Sequence, residues 1–205
     1  MNSAKSVPGA GRRVLVAPLV VLAMLLGGCA STAENGEPGH RFGERSWDSL
    51  RTEIQLAEPA ANEVVVVINN NAALGNHAGI FAGERLSDPA GSYKNVRARS
   101  PDWQRVSLAD YVAYQMDDGL RIQIYRFTLS ERQFSDVVAR LPEADSALPL
   151  FCGAAVQNAL AGIGPFAGID ATWWTSPAEL ARRLEPLTGG AKAVGVCLWP
   201  DGLPC

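Results

Sequence analysis

Apolar positions along this 205-residue chain fall into short blocks with different periods. Within Glu63 to Asn69, the run Val64-Val65-Val66-Val67-Ile68 is β-branched throughout and reads as a buried central strand. Asn69-Asn70-Asn71 closes it with a turn signal. His77 to Ala82 is a second apolar strand, closed by Gly83-Glu84. Arg85 to Asp88 follows as the return arm of a hairpin and stops at Pro89. Further on, Leu120, Ile122, Ile124 and Phe127 alternate with Arg121, Gln123 and Arg126, with Tyr125 out of step. That alternation predicts a half-buried strand. Ala191 to Cys197 is a candidate last strand.

Other blocks repeat at the helical period. Trp47, Leu50, Ile54 and Leu56 suit a short helix. Leu108, Val112, Gln115 and Met116 suit a second, stopped near Gly119, while Gly91 to Asp102 reads as loop. Thr128 and Glu131 have the T-x-x-E spacing of a capping box, and Phe134, Val137, Val138 and Leu141 continue one face until Pro142. Residues Glu143 to Pro149 read as loop. Cys152 to Ala161 is a helix with Val156 and Leu160 inward, stopped by Gly162 and Gly164. Ser176-Pro177-Ala178-Glu179 is another capping box with proline at the first helical position, opening a helix to about Leu187. Strands and helices mix without regular alternation, so the expected class is α+β, an antiparallel sheet packed against helices.

The N-terminal block is different. Lys5, Arg12 and Arg13 precede an apolar run from Val14 to Leu26, and no acidic residue accompanies them. The run falls short of the ~20 apolar residues of a membrane span. It suits the central part of an export signal. Leu26-Gly27-Gly28-Cys29 then resembles the lipobox of bacterial lipoproteins. The resemblance implies a signal peptide over 1–28, cleavage before Cys29, and acylation of the Cys29 thiol and of the new amine. Anchoring by two or more acyl chains is stable, each buried methylene contributing about 0.8 kcal/mol. The expected place is the cell envelope, held to a membrane with the domain outside the cytoplasm. Residues 29–46 are polar and poor in apolar side chains and read as a flexible tether. What remains, 47–205, is one domain's worth of chain. Loss of three cations with the leader makes the formal charge of −3 more negative, which argues against a nucleic-acid partner.

The chain has four cysteines and two histidines. In an oxidising compartment Cys197 and Cys205 are the pair expected to form a disulfide, with Cys152–Cys197 as the alternative. The first pairing leaves Cys152 as an odd thiol, either inert and buried or reactive. Leu150-Phe151-Cys152-Gly153 sits where loop becomes helix. A thiol there feels the positive end of the helix dipole and unpaired N–H groups, which favour thiolate and could hold an oxyanion. A cysteine nucleophile needs a base. His40 lies in the tether, so His77 is the histidine available to the domain. Asp88, across the hairpin, is the carboxylate placed to orient it, although Asp88-Pro89-Ala90-Gly91 also reads as a plain turn. No spacing of His and Cys suits zinc, so no metal or cofactor is expected. Trp173-Trp174 is expected to pack a loop onto the core; lining a substrate cleft is the alternative.

His77-Ala78-Gly79-Ile80-Phe81-Ala82-Gly83 resembles the histidine strand of permuted papain-like hydrolases, relatives of the NlpC-type cell-wall peptidases and of the lecithin:retinol acyltransferase group. Cys152 to Leu160 is similar to their cysteine helix, and His77 before Cys152 matches the permuted order. Gly164-Pro165-Phe166 and the stretch Asp88 to Tyr93 also look like these proteins. The resemblance spans roughly Glu63 to Leu187. It implies Cys152 as nucleophile, His77 as general base, and Asp88 or a nearby polar group as orienter. The implied chemistry is acyl transfer through a thioester, on peptidoglycan peptides or on lipid acyl groups. A binding or structural lipoprotein on the same fold is the remaining alternative.

Overall fold

The structure, a computed structural model, describes residues 56–71, 75–97, 103, 105–116, 121–142 and 151–188. The leader, Cys29, the tether with His40, the helix expected from Trp47, the strand expected over 191–197, and Cys197 and Cys205 lie outside the described residues. So does the loop expected over 143–149.

Four strands form one antiparallel sheet: β1 (Glu63–Asn69), β2 (His77–Ala82), β3 (Arg85–Ser87) and β4 (Ile122–Thr128), in the order β3-β2-β1-β4. The valine run is central because it pairs on both sides. Val65 faces Phe81 on β2 and Arg126 on β4. Around the sheet lie α1 (Ser92–Val96), α2 (Leu108–Gln115), α3 (Glu131–Arg140), α4 (Cys152–Leu160) and α5 (Pro177–Leu184). The class is α+β. No helix among the described residues is long and apolar enough to cross a membrane.

The period of two in a strand sends alternate side chains to opposite faces. Val64, Val66 and Ile68 join Ile80, Tyr125 and Phe127 under the face covered by α3, α4 and α5, where Val137, Val156, Leu160 and Leu180 meet them. Val65, Val67, Phe81, Ile122 and Ile124 turn to the other face, against Tyr93 of α1 and Leu108, Tyr111 and Val112 of α2. Both faces are therefore buried, which explains a strand apolar at every position. Each fully buried valine contributes roughly 1.5–3 kcal/mol relative to exposure.

The double cover corrects the reading of β4. Its residues Ile122 to Tyr125 are all buried, not one face of them. Tyr125, out of step in the alternation, belongs to the opposite core from Ile122 and Ile124. Gln123 is buried with its Oε1 accepting from Asn70 Nδ2 at 2.9 Å.

Three further boundaries differ from expectation. Thr128 does not cap α3, because it is still in the ladder opposite Glu63. Ser130 is the cap: its Oγ accepts from Gln133 N, and Gln133 Oε1 accepts from Ser130 N. Within the stretch read as loop, Ser92–Val96 is helical. Gly91, at φ 68°, turns the chain into it, and Tyr93 is buried in the α2 core. Five residues are too few to show a helical period. The final α-helix stops at Leu184 and tightens into a 3-10 turn over Glu185–Thr188, where Pro186 has no N–H to continue the ladder.

Candidate functional site

The β2–β3 hairpin creates the first half of the site. Gly83, at φ 55°, makes the reversal, and the register runs from Ala82↔Arg85 to Ile80↔Ser87. Asp88 follows immediately. Its backbone starts the expected turn, with Gly91 N donating to Asp88 O at 2.9 Å. Its side chain meanwhile meets His77, with His77 Nε2 and Asp88 Oδ1 2.5 Å apart. The turn and the pairing are thus the same feature.

Three donors converge on the Asp88 carboxylate. Oδ1 receives His77 Nε2–H and, at 3.4 Å, the Tyr111 hydroxyl; Oδ2 receives Tyr93 N–H at 2.9 Å. The group is wholly buried. Burial pushes its carboxyl upward, but the positive charge of a protonated His77, the His77 hydrogen bond, and those from Tyr93 and Tyr111 outweigh it. The net shift is downward, so Asp88 is ionised at neutral pH and can only accept. Nε2 of His77 must then carry the proton, which leaves Nδ1 as the basic nitrogen of the neutral ring.

Tyr111 is the residue that sequence periodicity does not single out. It stands on α2, fully buried, with its ring edge-on to Phe81 and Tyr93. Its hydroxyl lies over Gly79, where an added Cβ would come within 2.1 Å of Tyr111 Oη. Burial above all, then the negative charges of Asp88 and Cys152, push its phenol well above the usual value. It is a permanent donor at neutral pH.

Cys152 is the first residue of α4 and wholly buried. Cys197, its alternative partner in a disulfide, lies outside the described residues. No side-chain hydrogen bond caps α4, and the positive end of its dipole favours a thiolate at the first residue. A thiolate there is within electrostatic reach of Tyr111, the same residue that bonds Asp88.

One segment brackets the two halves. Gly153, next to Cys152, lies so close to Thr175, Ser176 and Pro177 that a Cβ would meet Thr175 O at 2.3 Å and Pro177 N at 3.0 Å. Gly75, two residues before His77, lies against Pro177 and Ala178 in the same way, and a Cβ there would come within 2.7 Å of Pro177 Cβ. Pro177 opens α5, whose cap is Ser176 Oγ accepting from Glu179 N. The start of the histidine strand and the start of the cysteine helix are thus packed on one helix N-terminus.

Trp173 and Trp174 do not pack on the core, contrary to the expectation. They are 82% and 46% exposed. The loop carrying them is fastened through polar groups instead. Asn158 Nδ2 donates to Thr172 O and its Oδ1 accepts from Thr172 N, while Gln157 Nε2 donates to Asp170 O. The indoles directly precede Thr175, whose carbonyl lies against Gly153.

Among the described residues no group of three or more His, Cys, Asp or Glu is arranged to hold a metal ion. Comparison of the chain with protein families, with curated proteins and with solved structures found no match.

Proposed function

We propose that this chain is a lipoprotein of the bacterial cell envelope, anchored through Cys29, whose domain is a cysteine hydrolase of the permuted papain-like type. The observation that carries the reading is the buried His77–Asp88 pair, joined through Tyr111 to the neighbourhood of Cys152 at the start of α4. A buried carboxylate is expensive to desolvate unless it is hydrogen-bonded. Perturbed carboxylates paired in this way concentrate at functional sites.

In the proposed reaction His77 Nδ1 takes the thiol proton of Cys152, and the thiolate attacks an amide carbonyl carbon. N–H groups at the start of α4 hold the oxyanion. The C–N bond breaks as His77 returns the proton to the leaving amine. Water, activated by His77, then cleaves the thioester and releases a carboxylic acid. Asp88 holds the imidazole in the tautomer with the proton on Nε2. Peptides of the cell wall are the amide substrates that the proposed location offers.

The test is alkylation of the full chain in detergent micelles across pH, with mass spectrometry of each cysteine. An activated Cys152 labels rapidly near about pH 6, where an ordinary thiol of pKa ~8.5 is almost wholly protonated. His77→Ala slows that labelling. Product analysis on cell wall and on phospholipid then separates amide from ester cleavage. An ordinary thiol profile for Cys152, unchanged in His77→Ala, removes the catalytic reading and leaves a binding lipoprotein.

A further inference from the structure

We infer that Tyr111 is a positioning residue of this site, and that residue 79 is glycine because the Tyr111 hydroxyl occupies the space of a side chain there. The inference rests on the proposed function for its catalytic meaning, and on geometry for the rest.

A carboxylate can orient an imidazole only if it cannot rotate away. Asp88 has two oxygens, and one bond to His77 would leave the group free to turn about its Cβ–Cγ axis. Tyr93 N–H fixes Oδ2 from the chain that follows the turn. Tyr111 fixes Oδ1 from a different element, approaching over the strand that carries His77. His77 and Tyr111 therefore converge on the same oxygen. The plane of the carboxylate is set by three points on three segments.

That approach needs a gap in β2. Residues 77, 79 and 81 point to the α2 face, and the Phe81 ring already packs against Tyr111 at a centroid distance of 5.6 Å. A Cβ on residue 79 would lie 2.1 Å from Tyr111 Oη and 2.8 Å from Cζ. No side chain fits without displacing the phenol from Asp88. Gly79 is thus a notch for the hydroxyl and not a flexible joint. The phenol stays protonated at neutral pH, so it donates throughout the cycle, whichever form His77 and Cys152 take.

Tyr111→Phe removes the hydroxyl and keeps the ring, so the α2 core stays filled. The measurement is the 15N signal of each His77 ring nitrogen in the labelled full chain, together with Cys152 alkylation across pH. In the unaltered chain one ring nitrogen, Nε2, holds the proton of the neutral imidazole. In Tyr111→Phe the two tautomers mix, and alkylation near pH 6 slows by roughly tenfold, the low end for loss of one hydrogen bond to a charged group. Gly79→Ala gives the same signature by pushing the phenol away. Combined with Tyr111→Phe it adds little to the tautomer mixing, as coupled neighbours do. A Tyr111→Phe chain that melts earlier but keeps the ring-nitrogen signals and alkylation profile unchanged overturns the inference, since the phenol would then only fill space. An ordinary thiol profile for Cys152 in the unaltered chain would remove the proposed hydrolase instead. The His77 signals would still decide the role of Tyr111.

Discussion

Asp88 concentrates most of what a single residue does in this protein. It follows a strand, starts a turn, and accepts bonds from His77, Tyr93 and Tyr111 while wholly buried. Its folded-state carboxyl lies below the usual range, against the push of burial, because the His77 charge and the hydrogen bonds favour the anion. The unfolded chain, with an ordinary aspartate at about 3.9, binds this proton more readily. The carboxylate therefore contributes stability that is present above about pH 4 and lost as pH falls through the folded value. Asp88→Asn keeps an acceptor oxygen but removes that linkage. Urea unfolding of the two chains at fixed pH steps should show a shallower acid loss of stability in the variant. Parallel curves would mean that the carboxylate is not held as the geometry implies.

Element boundaries were legible from the chain where a period ran long and a cap stood beside it. Helix α5 begins at Ser176 and Pro177 as its spacing predicts, and α4 opens at Cys152. Helix α3 shows the weakness of a motif read without its neighbours. T-x-x-E at Thr128 and S-x-x-Q at Ser130 both fit a capping box, and only pairing of Thr128 with Glu63 decides between them. The energetic consequence is measurable. Ser130→Ala should lower stability by about 1 kcal/mol, the usual worth of a cap. Thr128→Ala, at an exposed strand end, should cost a few tenths at most. Equal losses, read from chemical unfolding, would place the cap wrongly.

At the scale of the molecule, burial on both faces of a four-stranded sheet sets where substitutions matter. Leu160 lies fully inside the core shared by α3, α4 and α5. Leu160→Ala should destabilise by about 2–5 kcal/mol, the transfer loss plus the cavity left behind. Trp173 and Trp174 are larger, yet their loop is tied by Asn158 and Gln157, and replacing both by alanine should change stability by less than about 0.5 kcal/mol. Thermal melts of the three chains test this ranking. A large loss at the tryptophans would mean that the indoles hold the loop after all. With stability unchanged, the same variant is free to report on whether the indoles serve the proposed reaction.

The amino-acid sequence by itself determined the strands β1 and β2, the hairpin and the α+β class. These depend on side-chain period and on turn residues a few positions apart, and the hydrophobic effect reads such patterns locally. It also placed His77, Asp88 and Cys152 on elements able to carry chemistry, because a histidine opening a strand and a cysteine opening a helix are local features. Only tertiary structure decided that Tyr111, on an element 23 residues from Asp88 in the chain, reaches that carboxylate through the gap at Gly79. The same holds for Pro177, which packs against both Gly75 and Gly153. Periodicity states which face of an element is buried, but not which side chain of another element it meets. That is settled by close packing, where a missing Cβ in one strand and a hydroxyl on a helix fit together only once both are in place.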